Sequence, residues 1–293
     1  MSLPNHQLSF AAGSNSLDPH GYRVIDESAR CRLTQLTKTF PILTSFLNSS
    51  SLIISAYPAA LGLTGLAPFV DTYLHPETFI RAMRLAVAES RPVVLVAQPL
   101  VGADLILQYC RKEFEFPSRL LWASGGYPLP ISLEKFVLEL TSSRSCDTTV
   151  LHSYGVAEIG HSCFAAMDRF DSGIPRFKKV ATEVTAHLSP ASGQLSLKLN
   201  NRCVQTGDTA KIIDGDWEIE SGRLDLLIRE ELESWSALKW ERRTGYLIAK
   251  NRTSVFQLRE GVSESGASDE SHYHKFWHLY GGSLTAKPLW NSN

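Results

Sequence analysis

The period of the apolar positions changes along the chain and separates two kinds of architecture. Residues 76–90 open on Pro76 and place Phe79, Met83, Ala86 and Val87 at helical spacing. This predicts an amphipathic helix with proline in its first turn. Residues 92–97 follow as Pro-Val-Val-Leu-Val-Ala, a short unbroken apolar run that predicts a strand covered on both faces. Residues 119–124 repeat that pattern, 131–140 read as a helix, and 148–152 as a third buried strand. Strands alternating with helices predict a mostly parallel sheet with flanking helices.

Beyond about residue 182 the segments shorten and turn residues separate them. Residues 182–187, 194–199, 210–213 and 217–220 read as strands, with Asp214-Gly215 as the turn of a hairpin, where positive φ is wanted. The expected organisation is an α/β nucleotide-binding subdomain over 1–180, then a small antiparallel β subdomain over 181–229. Residues 230–293 are expected to be a short C-terminal remnant or tail, in which 260–270, rich in Ser, Gly and Glu, read as a mobile linker. The chain shows no internal repeat.

Composition narrows the function classes. The 293 residues are 43% hydrophobic and 20% charged, a globular rather than a disordered balance. Twenty-nine Lys and Arg against 30 Asp and Glu leave a net charge of -1, so no global basic field draws nucleic acid or an anionic membrane. The apolar runs are strand-sized, too short to span a bilayer, and the N-terminus lacks the basic start and apolar stretch of a secretory signal. Cys31, Cys110, Cys146, Cys163 and Cys203 form no C-x-x-C pair, so they are expected to be reduced thiols in a cytoplasmic protein.

Four short segments carry candidate chemistry. Ser124-Gly-Gly-Tyr-Pro-Leu-Pro130 follows a strand, and Gly125 and Gly126 would let a ligand ring approach the backbone. Ser153-Tyr-Gly-Val-Ala-Glu158 follows the next strand: Tyr154 could stack on a base, and Glu158 could hold a magnesium ion bridging phosphates. In Gln205-Thr-Gly-Asp208, the carboxylate of Asp208 could accept hydrogen bonds from two ribose hydroxyls. In Glu220-Ser-Gly-Arg-Leu-Asp225, the forked donors of Arg223 could reach sugar or phosphate. Each segment alone also fits an ordinary role: a tight turn, a packed aromatic beside a surface acid, a Thr-Gly-Asp turn, a solvated salt-bridge turn.

Taken in order, Gly-Gly-x-Pro, Tyr-Gly-x-x-Glu, Thr-Gly-Asp and Gly-Arg-x-Asp closely resemble the core motifs of the adenylate-forming (AMP-binding) acyl- and aryl-CoA ligase superfamily. The resemblance covers residues 120–229, and the style of the chain is most similar to phenylacetate-CoA ligases and the acyl-protein synthetases of bacterial luminescence. It implies that Gly125, Gly126, Tyr154 and Gly155 frame adenine, that Glu158 is the catalytic, magnesium-holding carboxylate, and that Asp208 and Arg223 bind ribose. Asp225 matches the hinge of the small C-terminal domain. The implied ligands are ATP or AMP with Mg2+, and CoA as a further candidate; the implied substrate is a carboxylic acid or acyl group.

The pattern is incomplete. Residues 9–21 keep Gly13, Ser14 and Ser16 of a phosphate loop but not its Lys, and backbone amides would have to cradle the phosphate. Arg229-Glu-Glu-Leu-Glu233 lacks a Gly-Gly turn, and Lys287 is only a faint counterpart of the C-terminal catalytic Lys. A truncated enzyme, slow or completed by a partner protein, and a non-catalytic nucleotide- or partner-binding scaffold therefore both remain open. His272, His274 and His278 read as a solvated tail rather than a metal site, and Cys163 as a packed strand thiol rather than an acyl acceptor. Residues 56–58, 61–66 and His152 are acid-pocket candidates by neighbourhood. Asp208 is expected to be a surface turn carboxylate whose loss spares the fold.

Overall fold

A computed structural model describes residues 7–9, 23–25, 28–56, 66–72, 76–126, 128–156, 159, 161–220, 240–243, 246–249 and 255–256. Among these residues the chain is mixed α/β. It begins with a two-stranded pair, β1 (Gln7–Ser9) and β2 (Arg23–Ile25), then α1 (Ser28–Thr39) and a 3-10 turn, Pro41–Ser45. The α/β layer follows as β3 (Leu52–Ser55), β4 (Phe69–Asp71), α2 (Pro76–Ala88), β5 (Val93–Ala97), α3 (Pro99–Arg111), β6 (Arg119–Ser124), α4 (Ile131–Ser142) and β7 (Asp147–Val156). Strands β8 (His161–Ala166) and β9 (Lys178–Lys179) complete a seven-stranded sheet of order β4-β3-β5-β6-β7-β8-β9. Its first five strands are parallel and its last two antiparallel.

The strand alternation read from the sequence sorts its side chains onto two faces. Leu52, Val93, Leu95, Leu120, Trp122 and Val150 join a core with Phe79 and Met83 of α2, Ile106 and Tyr109 of α3, and Leu133 and Val137 of α4. Ile53, Val94, Leu121 and Leu151, one residue out of phase, pack instead with Phe40, Leu43 and Phe46. A one-residue slip in any of these strands would exchange the two sets, so both layers together fix the register.

A second sheet is an antiparallel meander of β10 (Val184–Leu188), β11 (Gln194–Leu199), β12 (Arg202–Ile213) and β13 (Asp216–Glu220). Its β12–β13 turn is the expected Asp214-Gly215, with φ of 52° and 86° and Ile213 paired to Asp216. The two sheets touch directly. Phe177 and Trp217 exchange backbone hydrogen bonds of 2.9 and 2.8 Å, and one apolar cluster spans both, with Val156, Cys163 and Phe164 against Leu195, Leu197 and Val204. A separate three-stranded sheet contains β14 (Trp240–Arg243), β15 (Tyr246–Ala249) and β16 (Val255–Phe256).

Three features differ from the sequence expectation. α3 is a full helix over a stretch not expected to be one; Asp104, Gln108 and Arg111 line up at helical spacing beside its buried apolar residues. β7 runs past residue 152, so Tyr154 and Gly155 lie within a strand rather than after one. β12 is continuous through Thr206-Gly207-Asp208, which is therefore no turn ahead of a hairpin. Gly207, at φ 76°, absorbs the irregularity while β11 and β13 hold the strand on either side. Residues 260–270 lie outside the described residues.

Candidate functional site

The carboxyl ends of β6 and β7 bring the first two motifs together. Ser124 is paired with His152, so Gly125 emerges beside Ser153. A Cβ on Gly125 would stand 2.3 Å from Ser153 Oγ, and that hydroxyl donates to the Ser124 carbonyl at 3.2 Å. Glycine is needed here for the approach of the neighbouring strand. At Gly126 the reason is conformational, since φ is 93°. Gly125→Ala should push the Ser153 hydroxyl off Ser124 and cost about 1 kcal/mol, the net worth of one hydrogen bond. Adding Ser153→Ala should recover stability relative to Gly125→Ala alone; thermal melts of the three variants check this, and an additive double mutant would contradict the contact.

The third motif arrives from the second sheet. Tyr154 Oη donates a short hydrogen bond to Asp208 Oδ2 across 54 residues of sequence. Phe164 and Phe177 pack edge-on and tilted against the Tyr154 ring, at centroid distances of 5.9 and 6.1 Å. On the Asp208 side, Thr206 Oγ1 accepts from the Asp208 amide at 3.1 Å and donates to the Leu195 carbonyl at 2.7 Å. Thr206 and Asp208 are both 0% exposed. This corrects the expectation of a surface carboxylate. The inward parity of β12 puts Val204, Thr206, Asp208 and Ala210 on the buried face, so Asp208 is part of the junction between the sheets. A carboxylate in such a place must be hydrogen-bonded, and Tyr154 supplies one donor.

Gly125, Gly126, Tyr154, Gly155 and Asp208 are thus placed at or beside one inter-sheet junction. Glu158, Arg223, Asp225, Lys287, His272, His274 and His278, and the loop over 9–21 except Ser9, lie outside the described residues, as do 57, 58 and 61–65 of the pocket candidates. Among the described residues no three His, Cys, Asp or Glu side chains cluster as a metal site. Cys163 is 0% exposed within the apolar cluster that joins the sheets, a packed thiol. Cys110 and Cys146 are buried thiols, and Cys203 is an exposed one. No described helix is long and apolar enough to cross a membrane.

A charged cluster that no motif announced lies under α4. Arg169 sends Nε to Glu134 Oε2 at 3.0 Å and makes a shorter contact to the same oxygen through Nη2. Its Nη2 also reaches the Leu129 carbonyl at 3.0 Å, and Nη1 the Gly173 carbonyl at 2.6 Å. His152 Nε2 stands 3.4 Å from Glu134 Oε2, outside hydrogen-bonding alignment. Burial alone would push the Glu134 carboxyl up, but His152 and Arg169 together hold it below its ordinary value. Burial pushes the His152 imidazole down, favouring the neutral ring. The sequence had offered His152 only by neighbourhood; a His, a Glu and an Arg at unrelated spacings give no local signal.

No family model matches the chain, and no curated protein matches it. Among solved structures, the chain is similar to an acyl-CoA synthetase (AMP-forming)/AMP-acid ligase II-like protein from Dyadobacter fermentans, with TM-score 0.49 and 12% identity over 96% of this chain and 81% of that one. It is similar to the coronafacic acid ligase of Pectobacterium brasiliense, with TM-score 0.48 and 14% identity over 78% of this chain and 47% of that one. A luciferase-like enzyme from the nonluminescent mealworm Zophobas morio gives TM-score 0.49 and 15% identity over 75% of this chain and 58% of that one. The chain thus spans roughly half the length of the last two.

Proposed function

We propose that the chain is an adenylate-forming-type enzyme that binds a nucleotide where β6 and β7 meet the second sheet, and that it activates or transfers a carboxylic acid. The observation that carries this reading is the Tyr154–Asp208 hydrogen bond, with Gly125 packed on Ser153 beside it. It joins segments that the sequence relates only by their order. The donor set suits a nucleoside: an aromatic ring and glycine backbone for a base, and a carboxylate fixed by its strand for ribose hydroxyls. Because Asp208 is fully buried, a ribose reaches it only when the groups covering it give way. CoA is a further candidate ligand for the same site.

When bound, ATP supplies the adenylyl group. The chain's own residues orient and bind: the backbone of Gly125 and Gly126 frames the ring, Tyr154 flanks it, and Asp208 holds the sugar together with Arg223. Glu158 would hold Mg2+. Glu158→Gln should then weaken ATP binding in magnesium by about tenfold while leaving AMP binding nearly unchanged, since a cation held there would offset the larger phosphate charge of ATP. Titration calorimetry with each nucleotide reads the difference, and equal loss of both would remove Glu158 from that role.

The deciding experiment is ATP–pyrophosphate exchange across a panel of carboxylic acids. Exchange with at least one acid supports the enzyme. Nucleotide binding without exchange favours a scaffold, or an enzyme completed by a partner protein, and no binding of ATP, AMP or CoA removes the nucleotide reading altogether.

A further inference from the structure

The loop that carries Gly125 and Gly126 is tied down at both ends. At its start the Ser153 hydroxyl holds the Ser124 carbonyl. At its end one guanidinium does several jobs at once. Arg169, in the hairpin between β8 and β9, reaches across to the Leu129 carbonyl at the loop's last turn, to Glu134 in the first turn of α4, and back to Gly173 in its own hairpin. Arg169 and Glu134 side chains are only 14% and 16% exposed, so the pair is shielded from water. Only a planar fork with several donors can serve three separate acceptors in one place.

Resting on the nucleotide reading above, we propose that Arg169, acting through Glu134 and the Leu129 carbonyl, is the positioning residue that holds the Gly125–Leu129 loop in its binding geometry. The loop has few other anchors among its described residues, and Pro128 and Pro130 can donate no backbone hydrogen bond. α4 begins at Ile131 with Pro130 before it and no side-chain cap, and the Arg169 bonds to the Leu129 carbonyl and to Glu134 tie the chain at the point where the loop enters the helix. Arg169 touches no proposed ligand position. Its effect is to remove alternative loop conformations before the nucleotide arrives, which lowers the ordering cost of binding.

The test compares the parent with Arg169→Ala and Arg169→Lys by backbone hydrogen exchange and by AMP titration. Lysine keeps a charge for Glu134 but cannot reach Leu129 and Gly173 as well. Both variants should exchange faster over 125–133, with β3 and β5 as protected as in the parent, and should bind AMP about tenfold more weakly. Millimolar guanidinium should restore AMP affinity to Arg169→Ala and not to Arg169→Lys, whose ammonium occupies the site; a purely structural defect would not respond this way. Unchanged exchange over 125–133, a loosened loop with parental AMP affinity, or loss of protection throughout the chain in both variants would each overturn the proposal. A parent that binds no AMP overturns the nucleotide reading instead, and the exchange contrast over 125–133 then decides by itself whether Arg169 holds the loop.

Discussion

Gly102→Ala is expected to lower the unfolding midpoint of the protein, and by more than Gly125→Ala does. A Cβ on Gly102 would lie 2.4 Å from Trp122 Nε1, 2.8 Å from Cε2 and 3.0 Å from Cζ2. These atoms belong to a rigid ring with 0% exposure, flanked in register by Leu95 and Val150, so the indole cannot swing aside. Either α3 lifts from the sheet or β6 shifts. Overpacking of this kind costs about 1–3 kcal/mol, and a clash with three ring atoms belongs at the upper end. Alanine returns roughly 1 kcal/mol of helix propensity, leaving a net loss of ~2 kcal/mol, visible in a urea titration. Trp122→Phe removes Nε1 and should partly relieve the clash, so the double variant should be more stable than the sum of its parts. Strict additivity would mean that α3 adjusts freely. Because β6 ends at Ser124, the same shift would disturb the start of the Gly125–Gly126 loop.

The second large effect is expected at Asp208, and it reaches stability as well as binding. Asp208→Ala leaves the part-buried Tyr154 hydroxyl without its carboxylate, and a hydrogen bond to a charged group contributes about 1.5–3 kcal/mol. Asp208→Asn keeps a carbonyl acceptor of the same shape and should lose clearly less. For binding, removing one charge-assisted contact to ribose should weaken AMP by at least about tenfold, equivalent to ~1.4 kcal/mol. Urea unfolding and calorimetry on the two variants separate these effects. If Asp208→Asn folds like the parent yet binds AMP weakly, the carboxylate serves the ligand. If both variants keep parental affinity while Asp208→Ala is destabilised, Asp208 only locks the two sheets. An Asp208→Ala protein as stable as the parent would mean that the Tyr154–Asp208 bond adds nothing net to stability once the cost of burying the carboxylate is removed.

How legible each part was depended on how local its cause was. The strands at 93–97 and 119–124 could be read because an unbroken apolar run has one economical solution, burial on both faces. The Asp214-Gly215 hairpin could be read because two consecutive positive φ values demand such residues. Cys163 was rightly read as a packed thiol. Thr206-Gly207-Asp208 misled, since its letters favour a turn while the pairing of Gln205 and Thr209 to β11 on either side keeps the segment inside one strand as an irregularity at Gly207. α3 was missed because only the narrow stripe of Asp104, Gln108 and Arg111 interrupts its apolar residues, and the Arg169–Glu134–His152 cluster gave no local signal because its members lie on three separate elements.

By itself, the sequence determined the alternation that sends Leu120 and Trp122 to one face and Leu121 to the other, and the order of the Gly-Gly, Tyr-Gly and Thr-Gly-Asp segments. Those are consequences of chain geometry repeating every two or every 3.6 residues, which neighbouring letters can encode. Only the tertiary structure decided that Asp208 is buried, that Tyr154, 54 residues away, donates to it, and that Arg169 meets Glu134 and the Leu129 carbonyl from a separate element. Such pairings arise when two sheets and a helix dock against one another, and no local period of the chain records which side chains then meet.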